Sequence, residues 1–184
     1  MVQDTQPPSA EFPDGNGRRI AFCVSSFHGE LTGAMLDSAR AELDAAGVAA
    51  DAMPVCTVPG AFELPLAARR FARQENVDAV IAIGLVLKGE TRHDEVVADG
   101  AAAGLRQVML ECDKPVLLGV LTCESLEQAR ARALPPAEGG SQDKGRALAR
   151  AALETLAALE GIEATEPPSG TCGFRVSTTE GVRP

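Results

Sequence analysis

The chain has 184 residues, of which 45% are hydrophobic, and a formal net charge of −9 at pH 7. This length fits one domain with tails, and the apolar fraction is sufficient to build a buried core. Because phosphate backbones bind clustered Lys and Arg, the acidic balance argues against nucleic acid as a partner. No apolar stretch approaches the roughly 18 residues of a membrane-spanning helix, so no membrane segment is expected.

The cysteines are odd in number and show no Cys-x-x-Cys or Cys/His spacing: Cys23, Cys56, Cys112, Cys123 and Cys172. Most of them lie in apolar runs, where a cysteine is usually a small buried hydrophobe. They therefore predict free thiols rather than disulfides or a metal site, and a reducing cytoplasm is the simplest location. Residues 1–17 lack the pattern of a targeting signal and predict a flexible arm.

Apolar runs and helical patterns alternate along the first half of the chain. Residues 19–25 form a continuous apolar run, which is typical of a strand buried on both faces. A helix is predicted over residues 30–46, ended by Gly47. Residues 55–58 predict a second strand, and Pro65 marks the first turn of a second helix.

The alternation continues in the second half. Residues 79–87 are the clearest strand, followed by a polar loop and a third helix, and residues 116–121 predict a fourth strand. The segment Ser125-Leu-Glu-Gln128 is a capping box that predicts a fourth helix. Ser141 is expected to begin a fifth helix, with an inner face of Leu148, Ala152, Leu156 and Leu159. Residues 161–184 predict a mobile tail.

This order of elements predicts an α/β domain over residues 18–160, with a parallel sheet and helices on both faces. Such sheets bind ligands beyond the carboxyl ends of their strands. The expected ligand loops are residues 25–29, 59–63, 88–93 and 122–125.

The third of these loops is the most informative. Gly89-Glu90-Thr91 precedes a helix that starts near His93, and free N–H groups at a helix start bind anions. Gly89 allows close approach of the backbone, and the Thr91 hydroxyl adds a donor. The positive end of the helix dipole favours a neutral His93 that can accept a proton. The alternative is a surface histidine beside a helix cap.

Other loop residues also have two interpretations. Phe27 is placed either to stack on a flat ring or to pack against the following helix. Glu63 is either a ligand for polyol hydroxyls or an acid at a helix start. Arg132 and Lys144 flank the junction between the last two helices, where basic residues are usually solvated.

Together these segments resemble the lumazine synthase family, whose enzymes act in riboflavin biosynthesis. The matching segments, in the family's order, are Val24–Phe27, Val58–Pro65, Gly84–His93, Pro115–Thr122 and Leu126–Gln128. The resemblance implies a three-layer α/β/α sandwich of the flavodoxin-like type with five helices. It also implies a transferase that condenses 5-amino-6-(D-ribitylamino)uracil with 3,4-dihydroxy-2-butanone 4-phosphate, without metal or redox cofactor, to give 6,7-dimethyl-8-ribityllumazine.

The resemblance assigns a role to each matching residue. His93 would move protons, and Phe27 would stack on the pyrimidine. The ring and its ribityl chain would be held by Ala61, Phe62, Glu63, Leu85, Val86 and Leu87. The phosphate would be received by Gly89, Glu90 and Thr91 together with Arg132 of a neighbouring subunit, and Lys144 would help at the ribityl/phosphate end.

Several positions depart from the family pattern. Asp94 and Glu95 follow His93 in place of an aromatic and an Asp, Gly100 replaces a usual Glu, and Leu118 replaces a common aromatic of the pocket wall. The connection between the last two helices is longer than usual. Two alternatives therefore stay open, a weak paralogue that binds lumazine or flavin or acts as an assembly scaffold, and an archaeal-type riboflavin synthase.

The resemblance also implies a pocket between adjacent subunits of a homopentamer. Pro135 and Pro136 lie in the longer connection, and each fixes its own φ and biases the preceding residue away from helix. The connection should bulge where pentamers would meet. We therefore expect a pentamer or a pair of pentamers, and no sixty-subunit shell.

Overall fold

A parallel four-stranded sheet in the order β2-β1-β3-β4 forms the centre of the protein. The computed structural model describes residues 13–164. The strands are β1 (Ile20–Ser25), β2 (Val55–Val58), β3 (Ala79–Leu87) and β4 (Val116–Cys123). The helices are α1 (Gly29–Ala45), α2 (Leu64–Ala72), α3 (His93–Cys112), α4 (Leu126–Ala133) and α5 (Lys144–Glu163). Most of the predicted arm and tail lies outside the described residues.

The helices cover both faces of the sheet. Alternate residues of a strand point to opposite faces, so Ile20, Phe22 and Val24 of β1 belong to the core beneath α1, α4 and α5. Ala21 and Cys23 belong to the second core, beneath α2 and α3. The predicted three-layer α/β/α sandwich of the flavodoxin-like type is confirmed.

Helices α1 and α5 approach each other closely at Gly145. A Cβ atom on this glycine would lie 2.1 Å from the carbonyl oxygen of Met35, a distance that no side chain tolerates. Beside this contact, the carboxylate of Glu42 pairs with Arg146 and Arg150. The close contact of α1 and α5 thus depends on the absence of a side chain at Gly145 and on the ion pairs of Glu42.

The start of α5 differs from the prediction. Ser141 does not begin the helix, because its backbone N–H and hydroxyl both bond to the carbonyl of Ala131. The cap is Asp143, which adopts a left-handed φ of 43° and accepts the N–H of Arg146. The predicted inner position Leu159 is also wrong, since this side chain is 40% exposed. The packed face of α5 ends with Leu156.

Strand β2 is an edge strand with four residues, and Pro54 and Pro59 stand at its two ends. Strand β4 forms the other edge and has eight residues. Across the described residues, no helix is both long enough and apolar enough to cross a membrane.

Candidate active site

A cleft opens at the carboxyl ends of β1 and β3, the two central strands. This is the point where the strand order reverses, since β1 leads to β2 on one side and β3 leads to β4 on the other. The cleft has a volume of about 630 Å³, which lies within the range of small-molecule sites. Three of the four predicted loops contribute to it. The fourth, residues 122–125, lies outside it.

Two phenylalanines form the aromatic part of the cleft. Phe27 follows β1, and Phe62 lies in the 3-10 turn Ala61–Glu63 after β2. Both rings are largely exposed, which is unusual for side chains of this size. Exposed aromatic rings in a concave site offer flat surfaces for a ring-shaped ligand.

The loop after β2 is held by one of its own predicted site residues. The carboxylate of Glu63 accepts the backbone N–H of Gly60 through Oε2, at 2.9 Å. Glu63 therefore acts as the helix-start acid, and it is also one of the residues that line the cleft. Ala61 lies in the same wall and packs into the core beneath it.

The end of β3 provides a further wall. Leu85, Val86 and Leu87 line the cleft in succession, and Leu85 is buried while Val86 and Leu87 are half-buried. This end of β3 is held on one side only, because its pairing with β4 continues to Leu87 whereas its pairing with β1 ends at Ile83. These three residues line the same cleft as Phe27 and Phe62.

His93 begins α3 at the rim of the cleft, next to Gly89 and Thr91. The backbone N–H of His93 donates to Thr91 Oγ1 at 3.3 Å, so the threonine hydroxyl keeps its own hydrogen for another acceptor. The first N–H groups of a helix have no partner within it, and they attract anions. The predicted anion loop and the predicted proton-transfer residue are therefore adjacent in space.

The acids after His93 belong to an ion cluster. Lys88 Nζ lies 3.0 Å from Glu95 Oε1 and 3.2 Å from Asp94 Oδ2, and Arg92 also pairs with Glu95. Hydrogen bonds to Glu95 and Asp94 raise the pKa of Lys88, and hydrogen bonds from Arg92 and Lys88 lower the pKa of Glu95. Burial favours the neutral form of Asp94, but the bond and charge of Lys88 outweigh it and lower the pKa of Asp94. The formal charges of the cluster cancel, which reduces the repulsion between these acids and an anion.

Four predicted site residues lie outside the cleft of the single chain. Glu90 is exposed on the loop, and Leu118 is exposed on the edge strand β4. Arg132 lies in the last turn of α4, where Nη1 donates to the carbonyl of Gln128 at 3.1 Å. Lys144 is the first residue of α5.

Other residues line the cleft without having been predicted. They are His28, Gly60, Asp94, Val96 and Val97. His28 adjoins Phe27, and its place in the loop between the end of β1 and Gly29 was the available signal. Val96 and Val97 were not predicted, because a valine in a helical pattern does not indicate whether its side chain faces the core or a cleft.

The fold and the cleft define a small-molecule-binding α/β protein whose site suits a flat ring, a polar chain and an anion. The sequence matches the model of the family described as 6,7-dimethyl-8-ribityllumazine synthase over residues 17–160. Similar proteins of that name occur in Gemmatimonas aurantiaca, Frankia casuarinae and Thermus thermophilus, at 44%, 43% and 41% identity. The alignments cover 80%, 85% and 79% of this chain, and 89%, 94% and 90% of the relatives. The chain belongs to the 6,7-dimethyl-8-ribityllumazine synthase family.

Proposed function

We propose that the protein condenses 5-amino-6-(D-ribitylamino)uracil with 3,4-dihydroxy-2-butanone 4-phosphate. The products are 6,7-dimethyl-8-ribityllumazine, phosphate and water, and the reaction is a step of riboflavin biosynthesis. One observation carries the proposal: a single cleft contains an exposed aromatic ring, Phe27, and an anion-binding helix start with a histidine, His93.

In this proposal the pyrimidine lies on Phe27 and along the end of β3. Ala61, Phe62 and Glu63 hold the edge of the ring and the ribityl chain. The carboxylate of Glu63 already accepts one N–H from Gly60, which fixes its orientation. A carboxylate has several acceptor sites, so the remaining ones are available to ribityl hydroxyls.

The phosphate of the second substrate binds at Gly89, Glu90 and Thr91. Support comes from the start of α3, where the positive end of the helix dipole favours negative charge. The hydroxyl of Thr91 accepts from His93 N–H and donates its own hydrogen to the phosphate. Lys88 and Arg92 pair with Asp94 and Glu95, which reduces the repulsion between these carboxylates and the phosphate.

The chemistry requires proton transfers and orientation more than a strong nucleophile. The pyrimidine amine attacks the ketone and an imine forms with loss of water. Phosphate then leaves, and the resulting enol, after tautomerisation to a ketone, is attacked by the ribitylamino nitrogen to close the ring with loss of a second water. His93 accepts and returns protons in these steps, because it lines the cleft beside Gly89 and Thr91 of the anion loop.

A direct assay tests this proposal. The purified protein is mixed with both substrates, and the absorbance or fluorescence of the lumazine product is followed. We expect a rate well above that of the unaided reaction, and no product when either substrate is omitted. A rate equal to the unaided one would contradict the proposed function and revive the alternatives of a binding paralogue or scaffold and of a riboflavin synthase, which no observation favours at present.

We further propose that the active form is a homopentamer in which a neighbour completes the cleft. Leu118, Arg132 and Lys144 lie outside the cleft of their own chain, and a neighbouring copy would supply them. Support also comes from large apolar side chains that the single chain leaves exposed: Phe62, Leu66, Val96, Leu110 and Leu118. The expected contacts would cover such side chains.

A sixty-subunit shell is not expected. The connection between α4 and α5 leaves the helix at Leu134, passes through the 3-10 turn Pro136–Glu138, and returns at Gly139 with a φ of 88°. Residues 136–139 are exposed, which supports an outward bulge where pentamers would meet. A closed shell repeats one contact many times and tolerates little angular error. Light scattering decides: a pentamer or decamer is expected, and a particle near one megadalton would contradict the argument.

We also propose a cytoplasmic location. The cysteines of the described residues, Cys23, Cys56, Cys112 and Cys123, are free thiols, and free thiols persist in reducing compartments. Cell fractionation with an antibody against the protein tests the location.

A further inference from the structure

His28 lines the cleft in a backbone conformation that few residues adopt. It follows Phe27 directly, and its φ of 60° and ψ of 41° lie in the left-handed region. There the Cβ atom of an L-residue crowds the following carbonyl, so glycine is the usual occupant and histidine is one of the tolerated exceptions. Gly29 is the next residue, yet the positive φ falls on the histidine.

Two other non-glycine residues of the described chain share this conformation, and each has a local explanation. Asp143 caps α5 through its carboxylate. Asp113 follows the last residue of α3, where a left-handed residue commonly ends a helix. His28 precedes α1, but its ring makes no capping hydrogen bond. Helix capping therefore does not explain why a histidine occupies this position.

The backbone is held on both sides of His28. The N–H of Phe27 donates to the carbonyl of Pro59 at 3.2 Å, and the carbonyl of His28 accepts the N–H of Leu31 at 2.9 Å. The hydroxyl of buried Thr32 donates to the carbonyl of Ser25 at 2.9 Å. Because the segment is tied to the loop after β2 and to the first turn of α1, it cannot relax by moving. Backbone strain held in this way collects at functional sites.

The imidazole of His28 meets the ring of Phe27 edge-on. The ring centroids are 4.7 Å apart and the planes are at 76°, an attractive arrangement for aromatic rings. Phe27 is 67% exposed, and within residues 13–164 this is its one contact with another aromatic ring. The left-handed backbone thus places the imidazole where it can restrict the exposed phenyl ring.

We infer that His28 is a positioning residue for the pyrimidine substrate, because it fixes the Phe27 ring in the orientation on which the pyrimidine stacks. The inference rests on the proposed function, in which Phe27 is the stacking surface. A ring that is already fixed loses less freedom when the substrate binds, so binding is tighter. The effect is confined to the pyrimidine, since the phosphate is received at the start of α3.

Two variants remove the imidazole and keep a residue that tolerates positive φ: His28→Gly and His28→Asn. In both we expect the KM for the pyrimidine to rise about two- to tenfold, as follows from the loss of one aromatic pair, with the KM for the butanone phosphate unchanged. His28→Gly should melt at the same or a higher temperature than the wild type, because glycine is unstrained there. A loss of pyrimidine affinity without a loss of stability distinguishes positioning from a structural role.

Asp113→Gly is the matched control. It changes a second left-handed residue, at the opposite end of the twenty-residue helix α3 from the cleft, and should alter neither KM. Unchanged KM values in both His28 variants, or an equal rise for both substrates, would overturn the inference.

A wild-type protein that forms no lumazine would contradict the proposed function rather than this inference. In that case titration with 6,7-dimethyl-8-ribityllumazine, followed by its fluorescence, still compares the variants with the wild type. Weaker binding by both His28 variants supports the positioning role, and equal binding overturns it.

Discussion

A Cβ atom on Gly100 would lie 2.6 Å from Cε2 of Phe62, so the phenyl ring rests directly on the backbone of α3. The ring occupies the space that any side chain at position 100 would need. Gly100 stands where the resemblance places a glutamate in the family, and a glutamate side chain would not leave room for the Phe62 ring in this position. The position of one cleft wall is thus determined by a glycine on another element.

Gly100→Ala should displace the Phe62 ring and raise the KM for the pyrimidine. The ring is the flexible end of an exposed side chain, so it can move aside at small cost. Alanine also favours the helix by about 0.5–1 kcal/mol, and we expect thermal stability to be unchanged or higher. Steady-state kinetics and thermal unfolding test both expectations.

Two glycines serve as controls for this variant. Gly33→Ala on α1 places a Cβ atom in open space, so it should raise stability and leave the KM unchanged. Gly104→Ala places a Cβ atom 2.8 Å from Pro65, whose ring cannot rotate away, so it should lower stability. An unchanged KM in Gly100→Ala would show that the position of Phe62 does not matter for the substrate.

His93→Ala should lower turnover by roughly ten- to a hundredfold, at or below the usual contribution of one acid–base group. The reduction is limited because orientation of the two substrates supplies much of the rate. His93 is exposed, so the fold should be intact by circular dichroism. Arg92→Ala is the neighbouring control for turnover: Arg92 pairs with Glu95 and does not line the cleft, so turnover at saturating substrate should be unchanged even if the KM for the phosphate substrate rises. Equal turnover in His93→Ala and the wild type would remove the role assigned to His93.

Arg132→Ala should raise the KM for the phosphate substrate more than the KM for the pyrimidine. A charge-assisted hydrogen bond to an anion contributes about 1.5–3 kcal/mol, which corresponds to roughly a ten- to hundredfold change. Arg130→Ala is the control, because Arg130 lies 3.6 Å from Glu30 of the same chain. If both KM values change equally in Arg132→Ala, or neither changes, Arg130 becomes the candidate.

Gly145→Ala should destabilise the protein by about 1–3 kcal/mol or more, the cost of overpacking a close contact. The new Cβ atom would lie 2.1 Å from the carbonyl oxygen of Met35, and neither backbone can move without separating α1 from α5. Gly161→Ala in the same helix meets nothing within 4 Å and should leave stability unchanged or higher. Unfolding in urea measures both, and equal midpoints for the two variants would contradict this packing argument.

The ion cluster at the start of α3 should make stability depend on pH in a defined direction. Asp94 and Glu95 have lowered pKa values, so their contribution is present above their ordinary values of 3.8 and 4.5 and is lost as the pH falls through the lowered ones. Lys88 has a raised pKa, so its contribution is present below 10.5 and is lost as the pH rises through the raised value.

Lys88→Gln should therefore lower the melting temperature slightly at pH 7, and the difference from the wild type should vanish at a pH below the lowered pKa values of Asp94 and Glu95. Lys114→Gln is the control, because Lys114 donates to the carbonyl of Gln74, which does not titrate in this range. A Lys88→Gln difference of the same size at both pH values would show that the carboxylates do not act through Lys88.

Much of the fold follows from local sequence. Strand β3 and its loop were predicted within a residue because nine successive apolar residues end at a lysine and a glycine. The start of α5 was not predicted correctly, because Asp143 is held by a hydrogen bond from Ser38, which lies 105 residues earlier. A left-handed aspartate in that setting cannot be inferred from its neighbours in sequence.

Some residues of the candidate site were also predicted from the sequence, whereas the contacts that support them were not. Phe27, Glu63 and His93 occur in recognisable segments at strand ends, and the parallel sheet brings those ends together. The support of Phe62 by Gly100 and of Phe27 by His28 escaped prediction. The first is a contact between distant elements, and the second depends on a backbone angle that most histidines avoid.

The two prolines at the ends of β2 affect the tendency of the protein to aggregate through its sheet edges. An open sheet edge can recruit strands from other molecules, and short edges and prolines are among the devices that prevent it. With four residues between Pro54 and Pro59, this edge offers only a short ladder, and neither proline has an N–H with which to lengthen it. The eight-residue edge at β4 has no comparable limit along its length. The β2 edge is thus protected against fibre growth, and the longer β4 edge offers more backbone groups to a neighbouring strand.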